Sequence, residues 1–279
     1  MDLFVSDLDG TLLDRDARLD PVVRDRLNEL IDAGLRFTVA SARSVFSIGT
    51  VLEGLQLRLP VVEFNGGCVS DLATQQSLLT HDIERGIAQM VGRLGPPAGV
   101  TPIYSCRQEG NQWVYVPSED LNDGETWYRV DREKVGDPRV RDALPEARLP
   151  PGLVIAITFI ALESTLRPLQ EAVTRLDPTL ETHLFPNAYS PGWHWLSVHP
   201  KAASKGNAIR WLAAREGIDI GRVTVFGDAL NDLSMFQAAG RSIAVANAHP
   251  ELKQAATGEI GPHHEHSVLA YLEQVMDRA

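Results

Sequence analysis

Cysteine is scarce: Cys68 and Cys106 are the two in 279 residues. They supply neither a disulfide framework nor a zinc set, so reduced thiols in a cytoplasmic protein are expected. Positive charge is also short, with 26 Lys and Arg against 37 Asp and Glu, a net charge of -11. That balance argues against nonspecific nucleic-acid or anionic-membrane partners, which need net or clustered positive charge. The longest apolar run, LVIAITFIAL at 153–162, is about half the length a bilayer requires. The first residues, MDLFVSDLDG, lack the basic start and apolar stretch of a secretion signal. No internal repeat or low-complexity tract occurs. What remains is an ordinary globular composition, 44% hydrophobic and 23% charged, long enough for one or two domains.

The first third alternates strand-like and helix-like segments. LFVS at 3–6 is a short apolar strand, and Asp20 with Pro21 reads as an N-cap and first helical residue. Val23, Leu27, Leu30 and Ile31 then share one helical face, closed by Gly34. LRFTVA at 35–40, a helix around 44–55 and a third strand in PVVEFNGG continue the rhythm, which predicts a parallel sheet. The middle differs. After a helix near 83–95, PIYSCRQEG and NQWVYVP read as a hairpin meeting at Gly110 and Asn111. LVIAITF, a helix around 163–176 and strand-like runs at 181–187 and 193–198 follow. From 204 the β–α rhythm returns. A discontinuous α/β domain, 1–82 with 196–279, interrupted by an α+β domain at 83–195, is the simplest organisation.

Four segments carry candidate chemistry. DLDGT at 7–11 follows an apolar strand, which places Asp7 and Asp9 where parallel sheets bind ligands. Two carboxylates one residue apart can converge on a hard cation such as Mg²⁺, and Thr11 can cap the turn. On its own this is also the pattern of a plain acidic turn. GDALND at 227–232 repeats the arrangement after VTVF, adding Asp228 and Asp232. Four crowded acids would repel without a cation, which favours a shared metal site, although Asp232 also reads as a helix cap. ASAR at 40–43 offers the Ser41 hydroxyl and backbone N–H groups at a strand-to-helix turn, suited to phosphate oxygens. SKGNA at 204–208 puts Lys205 in a first helical turn, where the helix dipole disfavours a cation. That placement suggests work on a bound anion; a solvated surface lysine is the alternative.

In this order and spacing the four segments resemble the haloacid dehalogenase (HAD) superfamily, most closely its Cof-type branch with a large type-two (C2B) cap. EFNGG at 63–67, PKAASKG at 200–206 and IAVANAHPELKQAA at 243–256 extend the resemblance over most of the outer segments. Ser41 and Ala42 stand where the family usually has Thr and Gly, and GPHHEH at 261–266 replaces an acidic, glycine-containing turn. The resemblance implies a Rossmann-like α/β parallel-sheet core with an inserted α+β cap. It implies a Mg²⁺-dependent phosphatase of small phosphorylated metabolites. Asp7 would be the nucleophile and Asp9 the general acid and base. Mg²⁺ would sit on Asp7, Asp228 and the Asp9 backbone carbonyl. Lys205, Ser41, Asn231 and the Leu8 and Ala42 N–H groups would hold phosphate, with Asp232 and Arg43 behind them. The cap would choose the leaving group, with Trp113, Tyr115, Trp127, Trp193 and His194 as candidates, although for each aromatic packing within the cap is the favoured alternative. His263, His264 and His266 are expected in a solvated loop. A phosphosugar mutase and a non-catalytic sugar-phosphate-binding regulator are the rival readings.

Overall fold

A computed structural model describes residues 2–145, 148–187 and 190–277. Strand β1 (Leu3–Ser6) is apolar on both faces, and all four residues are buried. That is the mark of a strand covered on both sides of a parallel sheet. Burying each of its large side chains contributes about 1.5–3 kcal/mol. β1 pairs in parallel with β2 (Arg36–Val39) and with β12 (Val223–Gly227). β13 (Arg241–Val245) and β14 (Gly258–Ile260) extend the sheet in the order β14-β13-β12-β1-β2.

Helix α1 (Pro21–Asp32) starts as its sequence requires. Asp20 accepts a hydrogen bond from the Val22 N–H at 2.7 Å, and Val23, Leu27, Leu30 and Ile31 are buried. α2 (Val45–Val51) is capped by Ser44 and ends four residues earlier than its pattern suggests. The third strand corrects the expectation of one continuous parallel sheet. β3 (Val61–Glu63) touches that sheet through a single bridge, Ala40 to Val62, and joins a separate sheet with β4 (Cys68–Ser70) and β5 (Ser77–Thr80). The cause is the turn at Phe64 and Asn65, both at positive φ, which reverses the chain without room for a crossover helix. Buried Glu63 ties this corner together, accepting from the Val45 N–H and the Ser70 hydroxyl, both at 2.6 Å. The remaining helices of this unit are α6 (Lys205–Arg215), α7 (Leu233–Ala238), α8 (Pro250–Ala255) and α9 (Ser267–Met276).

The chain divides into two compact units, one running to Leu79 and resuming at Ala203, the other Thr80–Ala202. The second unit is built on a six-stranded sheet of β6 (Ile103–Gln108), β7 (Asn111–Val116), β8 (Val140–Asp142), β9 (Leu153–Ala161), β10 (Leu180–Pro186) and β11 (His194–Pro200). Its order is β10-β11-β9-β6-β7-β8. The β6–β7 hairpin turns at Glu109 and Gly110, both at positive φ, one residue before the expected Gly110–Asn111 junction. Helices α3 (Arg85–Leu94) and α5 (Glu163–Leu176) pack on one face of this sheet; α4 (Asp123–Lys134) packs on the other. No helix among the described residues is long and apolar enough to cross a membrane.

Candidate active site

In register, Ser6 lies between Val39 on β2 and Phe226 on β12. Asp7, Ser41 and Asp228 therefore leave the carboxyl ends of three adjacent parallel strands. The turn after β1 departs sharply at Gly10, φ +73°, where a Cβ would stand 2.4 Å from the Asp228 carboxylate. Only glycine permits that approach. Thr11 donates its hydroxyl to Asp228 Oδ1 at 3.2 Å, so it steadies a carboxylate rather than capping its own turn.

Lys205 enters from the first residue of α6 and is completely buried. Its Nζ donates to Asp7 Oδ1 at 2.7 Å and to Asp232 Oδ1 at 2.6 Å, which excludes the solvated-lysine alternative. The other Asp232 oxygen accepts the Asp228 and Ala229 N–H groups at 2.9 and 3.0 Å. Asp232 thus shapes its own loop and anchors Lys205, with both oxygens engaged. The start of α6 is placed by Gly66, φ +99°, where any Cβ would fall 2.2 Å from the Ser204 carbonyl oxygen.

Asp7, Asp228 and Asp232 bring ligand oxygens within 4.8 Å of one another. Three carboxylates face a single ammonium group. Burial, then Asp232 and Asp228, hold the Asp7 carboxyl well above its usual range despite Lys205. Burial and Asp232 push Asp228 up to about 6. Burial opposes the charge of Lys205, but Asp232 and Asp7 outweigh it and hold its pKa above the ordinary lysine value. A cluster of oxygen donors with uncompensated negative charge fits a hard divalent cation such as Mg²⁺. Both Asp232 oxygens are engaged by Lys205 and the 228–229 N–H groups, so Asp7 and Asp228 are the candidates to hold such an ion.

Asp9 stands apart from that cluster, its side chain 47% exposed. Arg43 grips it with a two-pronged ion pair, Nε to Oδ2 at 2.7 Å and Nη2 to Oδ1 at 2.6 Å. Arg43 is therefore a partner of Asp9, beyond the expected supporting position near an anion. The Ser41 hydroxyl oxygen is buried and accepts the Arg43 N–H at 3.1 Å. Leu8 and Ala42 directly follow Asp7 and Ser41 at the ends of β1 and β2. Asn231 donates to Asn65 Oδ1 at 3.0 Å.

Two asparagines escaped the sequence reading. Asn65 sits inside EFNGG and orients Asn231. Asn247 donates to the Gly10 carbonyl at 2.8 Å and accepts the His263 N–H at 3.0 Å. Both lie in segments with the family pattern, which was the available signal. His263 Nδ1 also lies 2.7 Å from the Leu13 carbonyl oxygen. The 261–266 segment is a surface loop with no buried residue, as expected, tied to the turn after β1 through His263. The three histidines do not converge: His264 meets Arg15, and His266 lies 3.6 Å from Asp20.

The five aromatic and histidine candidates of the 80–202 unit divide between the faces of its sheet. Trp113 and Tyr115 alternate onto the α3–α5 face, where the Arg141 guanidinium lies 3.9 Å from the Trp113 ring centre. His194 lies 3.8 Å from Glu163 at the start of α5. Trp127 belongs to α4, and the Trp193 ring packs against Gly124 of that helix.

The family model for haloacid dehalogenase-like hydrolases matches residues 4–272. A 5-amino-6-(5-phospho-D-ribitylamino)uracil phosphatase, YwtE, from Bacillus subtilis is 25% identical, covering 97% of this chain and 96% of that protein. An HMP-PP phosphatase from Yersinia enterocolitica is 28% identical over 96% and 92% of the two chains. A haloacid dehalogenase-like hydrolase structure from Bacteroides thetaiotaomicron superimposes with TM-score 0.78 at 20% identity, covering 98% and 99%.

Proposed function

The chain belongs to the haloacid dehalogenase-like hydrolases, and from that premise we propose that it hydrolyses small phosphomonoesters through an aspartyl-phosphate on Asp7. The observation that carries this reading is buried Lys205 bridging Asp7 and Asp232, with Asp228 alongside. The two named relatives are phosphatases of phosphorylated metabolites, which supports that substrate class; sugar phosphates or similar esters are the favoured members.

Asp7, Asp228 and the Asp9 backbone carbonyl would hold Mg²⁺. When bound, the cation offsets phosphate charge and orients the ester for in-line attack. Asp7 attacks phosphorus, the bond to the leaving oxygen breaks, and a proton from Asp9 completes the alcohol. Asp9 then takes a proton from water, whose oxygen attacks the same phosphorus and releases phosphate and free Asp7. Lys205 holds the Asp7 carboxylate oriented through both events. Ser41, Asn231 and the Leu8 and Ala42 N–H groups bind the transferring oxygens. Arg43 positions the Asp9 carboxylate. Substrate choice is assigned to the 80–202 unit, because every reactive residue lies outside it.

The test is a screen of phosphorylated metabolites with Mg²⁺, reporting free phosphate. Turnover in ¹⁸O-water should place one solvent oxygen in the released phosphate. Isomerised sugar phosphate without phosphate release would instead establish a mutase. Tight binding without turnover of any ester would establish a non-catalytic binder.

A further inference from the structure

The β10–β11 hairpin gathers chemistry unrelated to the carboxylate cluster. Glu181 on β10 lies directly opposite His199 on β11, and His183 follows Glu181 by two residues. Strand alternation therefore sets all three on one face of the sheet. The two imidazole rings stack with centres 4.8 Å apart and planes 19° from parallel. His183 Nε2 lies 3.7 Å from Glu181 Oε1, and one ligand atom from each residue lies within 4.8 Å of the other two. Ligands of a tetrahedral zinc ion, at about 2.0–2.2 Å from the metal, stand roughly 3.4 Å apart. Closing the present spacing needs only side-chain rotation.

We propose that Glu181, His183 and His199 form a second cation site, selective for a divalent transition ion of the zinc class. Two imidazoles and one carboxylate prefer such borderline ions, whereas Mg²⁺ prefers all-oxygen sets such as Asp7 with Asp228. Access also suits a reversible ion. The Glu181 and His183 side chains are 42% and 30% exposed, while His199 is buried and supplies a fixed ligand. Three protein ligands leave a position for water or a solute. β10 is the edge strand of its sheet, so the ion would clamp an edge otherwise held from one side.

The experiment uses the full chain, stripped with chelator and returned to excess Mg²⁺ to occupy the carboxylate site. Co²⁺ is titrated as a spectroscopic probe, followed by competition with Zn²⁺. One Co²⁺ per chain should bind, with the intense visible absorption of four- or five-coordinate cobalt, and Zn²⁺ should displace it. His183→Ala and Glu181→Gln should each weaken binding by at least about tenfold, while Asp228→Asn leaves it unchanged. Glu181→Gln replaces a half-exposed side chain by one of equal size, so its metal-free thermal melt should match that of the unaltered protein. Unaltered Co²⁺ affinity in Glu181→Gln, or loss of the band in Asp228→Asn alone, overturns the assignment.

Discussion

Lys205 holds its charge where water does not reach, between two carboxylates that each need it. Removing one member of a buried ion network leaves the others uncompensated and costs about 3–5 kcal/mol. Lys205→Met should therefore lower stability by that amount in a denaturant melt, and by less at pH 5 than at pH 8, because Asp7, whose pKa burial raises, needs the ammonium less once protonated. Asp9 is the opposite case. Half exposed and paired at the surface with Arg43, it contributes little to folding. Asp9→Asn should leave the melting temperature within a degree or two, roughly what a surface change below about 0.5 kcal/mol produces. Its kcat should fall about 100- to 10,000-fold, because an amide transfers no proton. Equal kcat in the two proteins would remove Asp9 from the chemistry. Residues of this kind were legible in the sequence because strand ends and a helix start announce them. Asn65 and Asn247 were not: each acts by hydrogen bonds to Asn231 and Gly10, far along the chain.

At the scale of elements, the turn after β1 is tightly constrained. Gly10→Ala must take a positive φ and press its Cβ into the Asp228 carboxylate. A left-handed non-glycine residue costs of order 1–3 kcal/mol, and displacement of Asp228 adds a loss of Mg²⁺ affinity. Calorimetric Mg²⁺ titration of Gly10→Ala should show weaker binding than the unaltered protein, and equal affinity would show that Asp228 is free to move. Elements with strong periodicity, such as α1 and α5, were readable from the sequence. α4 was missed because DGETWYRVDREK is charged along its length and buries little, with Gly124 and Glu125 its buried residues. A signal was present nonetheless. Asn122 and Glu125 form a reciprocal capping box, each side chain accepting the other's N–H at 2.9 and 3.0 Å. The three-residue strands β4, β8 and β14 carry too few residues for alternation to register. The Glu181–His183–His199 group depends on the register of two strands, which spacing along one strand does not reveal.

For the whole molecule, the surplus of buried negative charge sets how stability responds to pH and metal. Asp7 and Asp228 have folded pKa values raised above their unfolded ones, Asp228 to about 6. Groups raised in this way stabilise the metal-free fold below their unfolded pKa, and that contribution is lost as pH rises through the folded value. Mg²⁺ needs the same carboxylates ionised, so its stabilisation should grow over the same interval. The rise in melting temperature on adding Mg²⁺ should be larger at pH 7.5 than at pH 5, and EDTA should abolish it at both. A constant increment across that range would place the bound ion away from Asp7 and Asp228.

The pairing of Leu3 with Val223 has a consequence for the protein as it is made. Translation runs at about 5–20 residues per second, so β1 waits roughly 10–45 s for its central neighbour to be synthesised. Over most of that interval the unit Thr80–Ala202 is itself still being made, and the first strand has only β2 beside it. Its other edge offers a row of unpaired backbone groups to any passing strand. Asp7 precedes Asp228, its proposed partner in holding the cation, by 221 residues. Until β12 and Asp228 emerge, the nascent chain carries that open edge and only part of the proposed site.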